Sequence, residues 1–392
     1  MSTGELVLAI WGGAFSALWC FFGLAGLRSA LVFRTLRQLP APEPPAWPRL
    51  TVVVAACDEE ATIGPALMTL VAQDYPDLEI VVVDDRSKDA TGRIVDEVAA
   101  REPRVRAVHV RTLPAGWLGK VHAMHRATEI ASGAFILYTD ADVHFAPGTL
   151  RHAVAHAIHA RLDHLAVAPE IEPIDLAHDA VGAAFASSFL FGTRAVDVSR
   201  PGSSAFVGVG AFNLVRREAL AATPGWEWLR LEILDDVGLG YMMKRSGGRS
   251  AFAVGLSDVR VAWYESLPAM ARGLEKNMFG AFCRYRVSRL VALAVFAAVL
   301  FPAPIVALVA APRPWLPLLG ATAILLFAAG AGVVALRTRR SVLPFLLGGW
   351  GAFVLGLFVL RSAWRVLRDG GVTWRGTFYP LEALRKGQRV KL

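Results

Sequence analysis

Residues Leu6 to Leu27 form a run of 22 residues without a single charge. As a helix rising 1.5 Å per residue, that run is about 33 Å long, enough to cross a bilayer core of about 30 Å. A signal peptide fits poorly. Residues 1–5 contain no basic side chain, and the run exceeds the usual stretch of about 7–15 residues. Arg28, Arg34, Arg37 and Arg49 follow it. The positive-inside rule then puts the N-terminus outside and starts the rest of the chain in the cytoplasm. Pro40, Pro42, Pro44, Pro45 and Pro48 predict a stiff, extended spacer that lifts the next domain off the membrane.

The other end is apolar from Leu290 to Leu360. It divides into Leu290–Ala311, Trp315–Leu336 and Val342–Leu360, broken at Pro312-Arg313-Pro314 and at the basic turn Arg337-Thr338-Arg339-Arg340. Both that turn and the later Arg361, Arg365, Arg368 and Arg375 favour the cytoplasmic side, yet a full span separates them. One segment is therefore expected to be re-entrant or interfacial, either Leu290–Ala311 with its Pro302 and Pro304 or Val342–Leu360. The number of crossings stays open.

These runs explain a composition of 55% apolar and 19% charged residues, against about 45–50% and about 25% in soluble domains. Disorder is excluded by the low charge. With Cys20, Cys57 and Cys283 as the only cysteines in 392 residues, a disulfide framework or a Cys-based zinc site is unlikely on spacing alone. The net charge of +8 falls largely beside membrane segments, and RNA-binding aromatic motifs are absent. A membrane surface, not a nucleic acid, is the expected partner.

Between the apolar ends the pattern changes. Leu50–Ala56, Leu78–Val83, Val105–Val110 and Ala134–Thr139 are short apolar runs, mostly rich in β-branched residues, and read as strands. Ala61–Gln73, Thr91–Ala100 and Val121–Ala131 between them read as helices. Such alternation predicts βαβ crossovers and a mostly parallel sheet with helices on both faces. Ligands of such sheets bind at the carboxyl ends of the strands.

Acidic residues gather at those ends: Cys57-Asp58-Glu59-Glu60, Asp84-Asp85-Arg86-Ser87 and Asp140-Ala141-Asp142, with Glu232-Ile-Leu-Asp235-Asp236 later. One such cluster is usually a solvated turn. Several at successive strand ends repel one another unless a cation fills the space. Mg²⁺ and Mn²⁺ bind through one or two carboxylates plus substrate phosphates. The pattern therefore predicts a metal–diphosphate site.

Ala56-Cys-Asp-Glu-Glu-Ala-Thr-Ile63, Val83-Asp-Asp-Arg-Ser-Lys-Asp-Ala-Thr91, Thr139-Asp-Ala-Asp142 and Leu234-Asp-Asp-Val-Gly-Leu-Gly240 resemble, in order, the motifs of family 2 glycosyltransferases with the GT-A fold. The resemblance covers roughly residues 49–262. Gly116-Trp-Leu-Gly-Lys120 and Trp374-Arg-Gly-Thr-Phe-Tyr379 are similar to segments of the ceramide, carotenoid and hopanoid-type lipid glycosyltransferases. The resemblance implies that Asp58, Glu60, Asp84 and Asp85 hold the nucleotide, with Asp84 or Asp85 at the uracil ring and Glu60 on the ribose side. It implies that Asp140 and Asp142 bind ribose and a divalent cation, Mg²⁺ or Mn²⁺, that Lys120 lies near the donor diphosphate, and that Asp236 is the general base beside Asp235. With one base and no nucleophilic carboxylate identified, single displacement with inversion is expected.

The expected organisation is an N-terminal transmembrane helix (1–28), a basic Pro-rich linker (29–48), a cytoplasmic GT-A catalytic domain (49–262), interfacial amphipathic helices (263–289), C-terminal transmembrane or re-entrant segments (290–361) and a basic cytoplasmic tail (362–392). The expected location is the cell's inner membrane, with several crossings, and the oligomeric state is open. The expected reaction moves a sugar from a nucleotide-sugar, such as a UDP-sugar, to a hydroxyl of a membrane lipid. A processive polysaccharide synthase and an inactive membrane scaffold of the same fold are the alternatives. Where processive synthases carry Q-x-x-R-W, this chain has Arg272-Gly-Leu-Glu-Lys-Asn-Met-Phe279, which argues against a long polymer.

Five further signals carry two readings each. Lys276 and Asn277 either touch donor phosphates or lipid, or form the polar face of an interfacial helix. Trp374, Arg375 and Tyr379 either close the site or anchor the chain at the membrane. His152, His156 and His159 share a helical face, read as solvated rather than metal-binding. Gly208-Val-Gly-Ala-Phe-Asn213 lacks the preceding strand of a dinucleotide fold and reads as a pocket lining. Val181–Gly192 is apolar enough for a membrane surface, with core packing the expected fate.

Overall fold

The run of apolar residues that opens the middle region forms strand β1, Leu50–Ala56. Val52, Val53 and Val54 are all buried, as in a strand covered on both faces. In the computed structural model, which describes residues 2–309 and 313–391, β1 lies inside an eight-stranded sheet. Its other strands are β2 (Leu78–Asp85), β3 (Val105–Val110), β4 (Phe135–Asp140), β5 (Val143–Phe145), β6 (His164–Ile171), β7 (Asn213–Arg216) and β8 (Ser250–Val261). Their order is β3-β2-β1-β4-β7-β6-β8-β5. The first four strands are mutually parallel, as is the pair β6–β8. The pairs β4–β7, β6–β7 and β5–β8 are antiparallel. This is the mixed sheet of a GT-A fold.

The four expected strands and three expected helices are present. The helices span Ile63–Val71, Thr91–Arg101 and Gly119–Ile130. The helix starting at Ile63 begins later than expected because Ala61 and Thr62 belong to a turn closed by the carbonyl of Glu59.

The chain divides into two units: residues 34–172, 192–265 and 365–392 in one, residues 1–33, 173–191 and 266–364 in the other. The first holds the sheet, and residues 34–49 belong to it. The expected free-standing spacer is corrected here. Leu36 is fully buried, and Arg34 O accepts the N–H of Val254 at 3.0 Å. Arg37 pairs with the buried Asp258 carboxylate at 2.6 Å. Tyr75 donates its hydroxyl to Pro48 O. The prolines do keep this segment extended, but it is laid along the domain as a strap. The histidine face is corrected with it. His152 Nε2 donates to Leu39 O at 3.1 Å and His156 Nδ1 to Pro40 O at 2.8 Å. His156 is buried, and only His159 is exposed.

The second unit is helical and apolar. Among the described residues four helices are long and apolar enough to cross a membrane: Thr3–Val32, Val287–Val309, Trp315–Thr338 and Gly348–Asp369, and the chain is a membrane protein. Ala311, the end of one expected segment, and Pro312, part of one expected break, lie outside the described residues. Val287–Val309 is interrupted between Leu300 and Ala303, where Pro302 removes a backbone donor. Trp19 Nε1 donates to Leu300 O at 2.8 Å, and its ring packs edge-on against Phe301 and Phe327. Arg337 donates to the carbonyls of Ala30 and Leu31, which satisfies the end of the first helix. The helix Leu176–Thr193 lies mainly in this unit. Its Ala180, Val181 and Ala184 are buried while Leu176 and Phe191 are exposed, so the expected core packing holds for one face only.

The strap contributes core, not only tethering. Leu36→Ala is expected to lower the domain's stability by about 2–5 kcal/mol, read from denaturant unfolding of the detergent-solubilised protein. A change below about 0.5 kcal/mol, the range of surface substitutions, would show that the strap is dispensable.

Candidate active site

Strand register sets the first distances in the site. Ala56 of β1 is level with Asp84 of β2, and Ala55 with Asp140 of β4. Neighbouring strands lie about 4.8 Å apart, so the acidic ends of β2 and β4 flank β1 on either side.

Lys120, in the first turn of its helix, gathers three of the expected residues. Its Nζ lies 2.7 Å from Asp140 Oδ1 and 3.2 Å from Asp235 Oδ2. Burial alone would lower its pKa, but the Asp140, Asp235 and Asp236 carboxylates hold it well above the usual lysine value. The ammonium is therefore fixed as a cation.

Asp235 and Asp236 open the helix Asp235–Arg245, where carboxylates are favoured by the exposed N–H groups. Asp236 Oδ2 accepts the N–H of Gly210 at 2.8 Å, and Oδ1 that of Val237 at 2.8 Å. Burial, then the neighbouring Asp235, pushes its pKa up to about 6. Gly210 leaves room for the carboxylate: a β-carbon there would run into Asp140 Oδ2 and force that side chain to shift. The glycine-rich segment thus cradles two of the acidic side chains. Beneath it Asn213 Nδ2 donates to Asp236 O at 3.3 Å, and His164 Nε2 donates to Asn213 Oδ1 at 2.9 Å. Burial lowers the His164 pKa to about 4, so this buried histidine is neutral and orients Asn213.

Asp142, two residues beyond Asp140, has its pKa pushed up to about 7 by burial and then by Asp140 and Glu59. Among the described residues no group of three or more His, Cys, Asp or Glu side chains forms a ready metal cage. Crowded carboxylate oxygens in need of a cation, but too few to enclose one, fit a hard divalent ion completed by phosphate oxygens and water.

The remaining acidic residues are tied into loops. Asp58 Oδ1 accepts the N–H of Lys88 at 2.7 Å, and Glu60 Oε2 that of Ala90 at 2.9 Å. They knit the loop after β1 to the loop after β2. Asp85 pairs with Arg86 at 2.8 Å. Asp84 accepts from His109 Nδ1 at 2.9 Å, and His109 Nε2 reaches Asp96 at 2.8 Å. Those two hydrogen bonds hold the His109 pKa above its usual value. Successive strand residues face opposite ways, and Asp84 is committed to His109.

After the last long helix the chain forms a hairpin, β9 (Gly371–Trp374) and β10 (Thr377–Pro380). Arg375 at its tip pairs with Glu59. Tyr379 Oη accepts the N–H of Gly119 at 3.3 Å. Trp374 lies in the same hairpin. Lys276 and Asn277 belong to the other unit, on the helix Leu267–Cys283, and Lys276 Nζ donates to Asn277 Oδ1 at 2.9 Å. Three contributors had no assigned role in the sequence: Glu59, Gly210 as a donor to Asp236, and Glu232. Glu232 is buried and accepts the N–H groups of Leu234, Arg389 and Val390.

The sequence profile described as "Glycosyltransferase like family 2" matches residues 48–279, more than half of the chain. The chain belongs to glycosyltransferase family 2. It is similar to the beta-monoglucosyldiacylglycerol synthase of Synechocystis sp., at 28% identity over 243 residues, 59% of this chain and 48% of that protein. It is also similar to the 4,4'-diaponeurosporenoate glycosyltransferase of Staphylococcus aureus, at 32% identity over 96 residues, 24% of each chain. The matches thus span half or less of these relatives. Among solved structures, the mannosyltransferase PcManGT of Pyrobaculum calidifontis, in complex with GDP-Man and Mn²⁺, superposes with a TM-score of 0.56 at 20% identity. That superposition covers 92% of this chain and 99% of that one, and it supports the fold.

Glu232, which holds the tail, is expected to make the protein's stability pH-dependent. Burial, outweighing the three N–H groups, pushes its pKa from 4.5 up to about 7. The folded protein therefore holds this proton over a range in which the unfolded chain has lost it. Stability from this group is greatest below pH 4.5 and is lost as pH rises to about 7. The denaturant midpoint is expected to fall between pH 5 and pH 7 with a steeper slope in the wild type than in Glu232→Gln. Equal slopes would remove Glu232 from the account.

Proposed function

We propose that this protein is an inverting, metal-dependent, non-processive glycosyltransferase that moves a sugar from a nucleotide-sugar, in the first instance a UDP-sugar, to a hydroxyl of a membrane lipid. The observation that carries this reading is the meeting of Asp140, Asp235 and Lys120, with Asp236 held beside them by Gly210. A nucleotide-sugar needs cationic help for its leaving diphosphate and a base for the incoming hydroxyl, and these residues offer both. The lipid acceptor is supported by the names of the two relatives and by the four apolar helices.

Asp236 takes the proton of the acceptor hydroxyl. Its raised pKa of about 6 makes it a stronger base than an ordinary aspartate while leaving it mostly ionised at neutral pH. The oxygen then bonds to the anomeric carbon as the bond to the nucleoside diphosphate breaks, and the configuration inverts. Asp235 keeps Lys120 in place, and Lys120 offers its charge to the departing diphosphate. Asp140 and Asp142 would hold Mg²⁺ or Mn²⁺, which supplies further charge stabilisation when bound. Asp58, Glu60 and Asp85 shape the nucleoside side, with Asp84 positioning that loop through His109. In this reading the catalytic domain faces the cytoplasm of a multi-pass inner-membrane protein.

Purified protein with radiolabelled UDP-sugar, Mn²⁺ and lipid vesicles tests the proposal. Label should enter the organic extract in a β-linked lipid. Asp236→Asn is expected to lower that rate by about 10²–10⁴-fold, with nucleotide binding retained. A rate within a few-fold of the wild type would show that Asp236 is not the base.

A further inference from the structure

The C-terminal tail touches three of the four acidic motifs and the residue before Lys120. Arg375 pairs with Glu59, and its Nη1 donates to Asp58 O at 3.3 Å. Arg86 donates to Thr377 Oγ1 at 3.1 Å. The N–H of Gly119, next to Lys120, donates to Tyr379. The N–H groups of Arg389 and Val390 donate to Glu232 Oε2 at 2.6 and 2.9 Å, three residues before Asp235. The tail therefore ties together segments more than 130 residues away from it in sequence.

Arg375 stands out among these contacts. It occupies the first central position of a two-residue hairpin loop, with φ +47° there and +75° at Gly376. Such loops favour Asn, Asp or Gly at that position, so turn formation alone does not account for an arginine. The other cations of the site are held more tightly. Lys120 sits between two carboxylates with a side chain 21% exposed, and Arg86 makes two bonds to Asp85 and is 22% exposed. The Arg375 side chain is 40% exposed and meets a single carboxylate, that of Glu59. Glu59 in turn bears on Asp142, the carboxyl next to Asp140. A diphosphate carries more negative charge than Glu59 and matches the planar fork of a guanidinium.

We infer that Arg375 recognises the donor's diphosphate and rests on Glu59 until the donor arrives. This rests on the proposed sugar-nucleotide reading and adds a residue, and a part for the tail, to it. On donor binding the guanidinium exchanges one carboxylate partner for phosphate oxygens, with no covalent change. Because Tyr379 and Glu232 also anchor the tail, loss of Arg375 leaves the tail attached.

Calorimetric binding of UDP and of UMP to the full-length protein, with Mn²⁺ present, tests this. The wild type should prefer UDP. Arg375→Ala should weaken UDP binding by at least about tenfold, the value of one charge-assisted hydrogen bond, and leave UMP binding within about twofold. Arg375→Lys should recover part of the loss. Glu59→Gln should leave UDP binding as tight or tighter, because it releases the guanidinium. Equal losses of UDP and UMP in both Arg375→Ala and Glu59→Gln, or unchanged UDP binding in Arg375→Ala, would overturn this inference alone. A wild type that binds no UDP would overturn the functional reading together with it.

Discussion

The half-buried ammonium of Lys120 is the contact on which the site depends. Asp140 ends a strand, Asp235 begins a helix, and nearly a hundred residues of chain separate them. Without a cation, those carboxylates and the nearby Asp236 would repel one another. With Lys120 between them at 2.7 and 3.2 Å, the negative charge is partly neutralised and the two elements are pinned. The charge also outlasts any ordinary change of pH, because the surrounding carboxylates hold the lysine pKa far up. A site built this way presents a fixed positive point beside Asp140 and Asp235.

Around that pin the chain economises on space. Gly210 lets the backbone pass against Asp140 while its N–H fixes Asp236. Gly119 does the same on the other side, where a β-carbon would strike Asp85. These close approaches set how near the acidic side chains come to one another. The strap at residues 34–49 and the tail at residues 371–391 then bind the sheet domain from its two ends of sequence. Both join the sheet domain to the apolar helical unit through the chain itself, so the polypeptide that leaves the apolar helices is also the polypeptide that braces the catalytic fold.

Much of this was legible in the sequence. Leu50–Ala56 and Val105–Val110 match their observed strands end to end, the first because a parallel strand buried on both faces is a continuous apolar run. The acidic strand ends followed from the same pattern. The second half of the sheet was not read: β5 and β7 span three and four residues, too short to show a period, and their antiparallel pairing is decided by distant partners. The strap was mistaken for a spacer because its prolines report extension, while its partners Asp258 and His152 lie more than 100 residues away. For the same reason the pairing of Arg375 with Glu59 and of Glu232 with the tail could not be seen. Asp84 was expected at the nucleotide from its motif; its pairing with the half-buried His109 on the neighbouring strand is a relation that register reveals and spacing does not.

The most direct test is a structure determined by electron cryomicroscopy with UDP and Mn²⁺ bound. The account predicts nucleotide density at the carboxyl ends of β1, β2 and β4, with the diphosphate against Asp140, Asp142 and Lys120. A nucleotide lodged elsewhere, with those three side chains untouched, would contradict it.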